Sequence, residues 1–266
     1  MTTKRNTGFT IIEVMLFLAV SGFLAVALLY GMQTSIERQR YYDSLTSLKS
    51  YLQMQYTYAA NVLNDRPNDS TGKPTNISCD VNARLKVVSS VEVNTGLGMS
   101  ECVIMGRYIY TNSDATKLTA SHVIGVRDQT KEPGTDDLAE LSNFRYSSLF
   151  NDDSSGIDGY YQPELYSLSA NEQLQDSTKK PTPFQMLIMR SPTTGMILTF
   201  ITKGGPDGNI ANLIKNGKND QPTILCLAPT NPSVIPMTKM AIRINAFATN
   251  QAGVEIPKET DNVCGR

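Results

Sequence analysis

The sequence predicts an α+β fold: a long N-terminal transmembrane-plus-amphipathic helix packed on a globular head with an antiparallel β-sheet. Three observations predict it. From Phe9 to Met32 the chain runs apolar, and Glu13 is its only charged residue. Beyond that run, Leu45, Leu48, Leu52, Tyr56, Ala59 and Leu63 recur at spacings of three and four, the period of one helical stripe. From residue 67 to 266 the composition turns to short β-rich runs separated by polar stretches with Gly and Pro.

The first element, residues 9–32, is a helix of about 36 Å, enough to cross a hydrocarbon core of roughly 30 Å. A secretory signal peptide fits less well, because its apolar region is shorter and a small-residue cleavage site follows it. Here the small residue, Gly8, comes first. Lys4 and Arg5 precede the span, and Arg38 and Arg40 follow it, partly balanced by Glu37. The short basic leader, residues 1–8, places the N-terminus in the cytoplasm. An isolated carboxylate in the membrane costs about 3 kcal/mol or more. Two readings of Glu13 are therefore open. It stays wet at the interface, or it pairs with an α-amino group freed at Phe9 of a neighbouring chain.

The second element, residues 33–66, continues the helix as its amphipathic half, up to Asn64-Asp65-Arg66-Pro67. The whole helix would be about 56 residues, or roughly 84 Å. Its Leu and Tyr stripe reads as core docking a sheet. Head strands are expected at Arg84–Val93, Cys102–Tyr110, His122–Arg127, Gln185–Arg190, Gly195–Thr202, Thr223–Leu227 and Met240–Phe247. Ser191-Pro192-Thr193-Thr194 reads as a hairpin turn. Gln129–Asp137, Asn151–Gly159, Asp176–Pro183 and Lys203–Pro222 read as polar connections, while Leu138–Phe150 and Glu164–Leu174 suit short helices or strands equally.

The motif Gly8-Phe9-Thr10-Ile11-Ile12-Glu13-Val14, followed by an apolar helix, resembles the N-terminal signature of type IV pilins and type II secretion pseudopilins, over roughly residues 1–60. The resemblance implies that a prepilin peptidase cuts after Gly8 and N-methylates Phe9. It implies that Glu13 pairs with the N-terminus of an adjacent subunit. The partners it implies are other pilin or pseudopilin subunits, assembly platform proteins and the cytoplasmic membrane, with the head outside and later in a filament. Some tip-located pseudopilins lack the glutamate, so Glu13 argues for an internal position. The large head favours a minor subunit. One departure concerns the helix: many such pilins carry a kinking proline near Tyr30, where this chain has only Gly22 and Gly31.

Cys79, Cys102, Cys226 and Cys264 form an even set, as an exported disulfide-bonded domain would have. Of three connectivities, Cys79–Cys102 with Cys226–Cys264 closes short to moderate loops; free buried thiols are the alternative. The second bridge would pin the polar tail, as a C-terminal disulfide loop does in many pilins. A zinc site lacks C-x₂-C spacing, and His122 is the only histidine.

Two acidic loops have calcium-like composition, Asn151–Gly159 and Gly204–Asn209. Position twelve of the first is Gln162 rather than glutamate, and Asp207-Gly208 is only loosely similar to the calcium loop of major secretion pseudopilins. Ordinary turn chemistry explains both. The sequons at Asn68 and Asn76 read as chance matches.

No metal, cofactor or catalytic residue is expected, since neither G-x-S-x-G nor a P-loop is present. Losing Lys4 and Arg5 would take 24 basic side chains to 22, against 25 acidic. With no basic block interleaved with aromatics, a nucleic-acid groove has little support. The expected function is a structural filament subunit. A monomeric membrane-anchored binding protein that never polymerises is the alternative.

Overall fold

The computed structural model describes residues 10–61, 76–79, 83, 85–88, 102–148, 163–169, 172–175, 180–206, 208–217, 219–229, 240–257 and 264. Helix α1 runs unbroken from Ile11 to Ala60, 50 residues, across both Gly22 and Gly31. It was expected to reach residue 66. Instead Asn61 leaves helical geometry at ψ 77°, its N–H still bonded to the Thr57 carbonyl. Asn is a poor helix former, and the buried stripe has its last described contact at Ala59. Leu63, the expected next member, lies outside the described residues.

All described strand pairs are antiparallel. The larger sheet contains β3 (Cys102–Thr111), β4 (Lys117–Arg127), β5 (Phe144–Ser148), β8 (Phe184–Arg190) and β9 (Ile197–Lys203) in the order β5-β4-β3-β8-β9. Strand β6 (Glu164–Ser167) pairs with the first part of β4, beside Lys117–Ala120. The smaller sheet orders β12 (Val254–Glu255), β11 (Met240–Ile244), β10 (Thr223–Pro229) and β7 (Glu172–Gln175). Strands β1 (Asn76–Cys79) and β2 (Leu85–Val88) form a separate pair.

The stretch Glu164–Leu174, ambiguous in sequence, is thus two strands in two different sheets. Leu138–Phe150 likewise divides, into α2 (Asp137–Leu141) and β5. The expected Arg84–Val93 strand is described only as β2. The expected Ser191–Thr194 turn joins β8 to β9. Ser191 Oγ accepts from the Thr193 and Thr194 amides and donates to Asp137, 2.6 Å away.

The core lies between α1 and the two sheets. Leu45, Leu48 and Leu52 are fully buried against Ile109, Leu118, Phe184 and Ile188 of one sheet and Leu227, Ile242 and Ile244 of the other. Each such leucine contributes roughly 2 kcal/mol by burial.

A second apolar layer covers the opposite face of the larger sheet. There Tyr108, Leu187 and Phe200 meet Ile210, Leu213 and Ile214. Those three belong to α3 (Ile210–Asn216), an apolar-faced helix inside Lys203–Pro222, which corrects the reading of that stretch as a polar connection throughout. Asn209 caps α3 by accepting from the Asn212 amide. The chain leaving α3 runs beside the outer edge of β9, where the Ile201 amide donates to Gly217 and the Asn219 amide to Thr199. An otherwise open sheet edge is covered there.

Strand β3 carries a bulge between Ile104 and Gly106. A Cβ on Gly106 would lie 2.0 Å from the Ile188 carbonyl oxygen, so only glycine permits the strands to approach. Gly106→Ala is expected to destabilise the full chain by about 3 kcal/mol, the upper range for overpacking, measured by urea unfolding in detergent.

Candidate functional site

Along α1 the chain meets two environments. Residues Ile11–Met32 form a 22-residue apolar segment in which no side chain is buried. Phe23 is 74 % exposed, although phenylalanine in water is costly. This segment is long and apolar enough to span a membrane, about 33 Å against roughly 30 Å. The Ser21 hydroxyl within it donates to the Phe17 carbonyl at 2.7 Å and so needs no outside partner.

The segment opens with a capping box. The Glu13 amide donates to Thr10 Oγ1 at 3.3 Å, and Thr10 returns both its amide and its hydroxyl to Glu13 Oε2 at 3.0 Å. Glu13 therefore sits in the first helical turn with its carboxylate satisfied inside its own chain. The helix dipole also favours negative charge there. With no basic residue close by, the partner of Glu13 is Thr10, and T-x-x-E ahead of an apolar run is the local signal for it. Gly8 and Phe9 lie outside the described residues.

From Tyr41 onward the same helix is docked, and its polar side chains fall at defined points on the head. At the near end, the Tyr41 hydroxyl donates to the Leu227 carbonyl and accepts from the Met240 amide. Ser44 donates to the Glu172 carboxylate. Burial pushes the Tyr41 phenol up to about 12, and it also raises the Glu172 carboxyl above its usual range. Midway, Gln53 Nε2 donates to the Gln251 and Val254 carbonyls at 3.0 and 3.1 Å.

At the far end Arg107 projects from β3 beneath α1, 1 % exposed. Its Nε donates to Gln55 Oε1 at 2.9 Å, and its Nη2 lies 3.0 Å from Glu164 of β6. Gln55 Nε2 completes the circuit by donating to Glu164 Oε2 at 3.1 Å, while the Tyr58 ring lies 5.3 Å from the guanidinium. Nearby, Tyr56 donates to Thr199 Oγ1 at 3.0 Å, because the single hydroxyl hydrogen of Thr199 goes to Ala248.

His122 is the register partner of Arg107 on β4. Burial first, and then the guanidinium, push its imidazole down to about 3, so it is neutral at ordinary pH. It is a half-buried strand residue beside a cation, and not poised near neutrality as a general base would be.

Cys226 and Cys264 are joined by a disulfide that ties the tail to the outer face of β10. Closing the 38-residue separation stabilises the chain by about 4 kcal/mol in the chain-entropy account. The side chains of Cys79 and Cys102 lie outside the described residues, as do the loop 151–159 and Asp207. Among the described residues, no three His, Cys, Asp or Glu side chains converge as metal ligands would.

No family model matches this chain, nor does any of the curated proteins or solved structures compared with it.

The Arg107 circuit was not read from sequence. Its only local signal is one arginine inside an otherwise apolar β-run, which demands a partner if the strand is buried. Glu164→Ala should leave that guanidinium buried without its counter-charge. A loss of about 3 kcal/mol in urea unfolding is expected, at the low end for a broken buried pair because Glu164 is partly open to water.

Proposed function

We propose that this chain is a structural subunit, of the minor kind, of a type IV pilus or pseudopilus filament, processed after Gly8 and assembled through its N-terminal helix. The observation that carries the reading is the lone Glu13 carboxylate at the head of a bare apolar helix, directly after Gly8-Phe9. The precursor is held in the cytoplasmic membrane with its N-terminus inside and its head outside. Prepilin peptidase frees the Phe9 amine. Assembly platform proteins extrude the subunit, and apolar helices of neighbouring subunits replace lipid around Ile11–Met32.

Glu13 then exchanges bonds. In the single chain its carboxylate rests on Thr10. In the filament a neighbour's Phe9 ammonium takes that position, and the attraction of opposite full charges in a low-dielectric helix bundle, stronger than that of the Thr10 dipoles, drives the exchange. No catalytic group, metal or cofactor enters this mechanism.

The same capping box favours a second reading. A carboxylate satisfied in its own chain needs no neighbour, which suits an anchored binding protein that stays monomeric.

N-terminal peptide mass spectrometry of membranes and sheared filaments separates the two. The filament reading expects N-methyl-Phe9 as the first residue in both fractions, and it expects Glu13→Gln to keep the chain in the membrane while depleting it from the sheared fraction at least tenfold. An uncut N-terminus in native membranes leaves the anchored receptor.

A further inference from the structure

A carboxyl is buried where the chain passes from the larger sheet to the smaller one. Glu172, the first residue of β7, is 7 % exposed. Three elements meet around it. From α1, Ser44 donates to its Oε2, and the Tyr41 phenol stands close enough for the two groups to repel when both are ionised. From β6 and the chain that leaves it, the Ser169 amide and hydroxyl donate to the same carboxyl, and the Tyr166 phenol faces it. From β10, the register partner is Pro229, which carries no charge. The described donors to Glu172 are thus two hydroxyls and an amide, and the ionisable groups turned toward it are two phenols. Those donors offset part of the cost of ionising a buried acid. Burial outweighs them and raises the carboxyl above its ordinary 4.5.

We propose that Glu172 is a pH-sensitive clamp at the joint of α1 and the two sheets: protonated, it fastens the start of β7 to the helix, and ionised, it loosens that joint. The effect is local, because both neighbours of the joint are held independently. Leu174, two residues further on, is buried in the core, its amide donating to the Ala115 carbonyl and its carbonyl accepting from the Thr182 amide. Tyr166, on the other side, stacks on Tyr51 of α1 with ring centroids 4.5 Å apart. The direction follows from linkage. A carboxyl raised in the folded chain contributes its full stabilisation at acid pH, below the ordinary carboxyl range, and loses it as the pH rises through the raised value. The joint is therefore tight in acid and looser as the solution becomes alkaline. This inference goes beyond the proposed function and depends on neither cleavage nor polymerisation.

The test is amide hydrogen exchange on the full chain in detergent, comparing the parent with Glu172→Gln at the same pH so that the chemistry of exchange cancels. The carboxamide stands in for the protonated acid and does not ionise. At about pH 5 the two chains are expected to protect β7 equally. At about pH 8 the parent is expected to exchange the amides of β7 about tenfold faster than the variant, the effect of displacing the carboxyl titration by one pH unit. Strand β8 should stay the same in both. Ser44→Ala removes one donor to the ionised form, so its β7 should loosen at a lower pH than the parent's. An equal ratio of parent to variant at both pH values would overturn the clamp, as would a matching loss of protection in β8 or an unshifted transition in Ser44→Ala. A Glu172→Gln chain that is unfolded at both pH values would overturn it too, because the neutral side chain would then fail to do the work of the acid.

Discussion

The burial of α1 from Tyr41 to Ala59 against both sheets is the constraint on which the rest of the structure depends. Leu45, Leu48 and Leu52 lie where apolar side chains of the six-stranded and four-stranded sheets converge. Neither sheet has another apolar partner for that face among the described residues. The smaller sheet, in particular, turns Leu225, Leu227, Ile242 and Ile244 toward the helix. A sheet must bury one apolar face against another element, and here the element is supplied by the N-terminus. Polar contacts then set the helix register. Ser44 and Glu172 mark one end of the dock, and Gln55, Arg107 and Glu164 mark the other. A buried arginine is a costly way to hold two elements together, and its best-attested use is specifying one arrangement over others.

Continuity of that helix gives it two solvents. Docked on the head, it is an ordinary amphipathic helix with a defined apolar stripe. From Met32 back to Ile11 it is apolar all round and bare. Such a helix is buried in a larger protein or in a membrane. Because no proline or break divides the two regimes, whatever positions the apolar half also positions the head. The Thr10–Glu13 cap serves the same economy: it satisfies two helix-terminal donors and one carboxylate at the start of the apolar segment.

What could be read from the sequence follows the range of the physics. The α1 stripe was legible because its 3.6 period is local and long. Strands β3, β4 and β8 were legible as β-branched and apolar runs, although β4 begins five residues earlier than expected, at Lys117. Its start, Lys117-Leu118-Thr119-Ala120, alternates polar and apolar residues and is held by β6, whose residues 164–167 no local pattern announces as its partner. Helix α3 was hidden by its setting, since Ile210, Leu213 and Ile214 carry helical spacing inside a stretch otherwise rich in Gly, Asn and Lys. The Arg107 circuit was not legible at all, because it joins residues 55, 107 and 164, which only the folded topology brings together. At the N-terminus the sequence went further than the fold does: Gly8 and Phe9 carry the functional reading, and the geometry contributes the cap that follows them.

The central claim is that the second half of α1 is an integral part of the head's core while the first half is not. The most direct test compares thermal unfolding, by circular dichroism, of a chain beginning at Gln33 with one beginning at Asn61. The account predicts a cooperative transition for the first in the absence of detergent and none for the second. A cooperative transition at the same temperature for the chain beginning at Asn61 would contradict it, because the two sheets would then be stable without the helix.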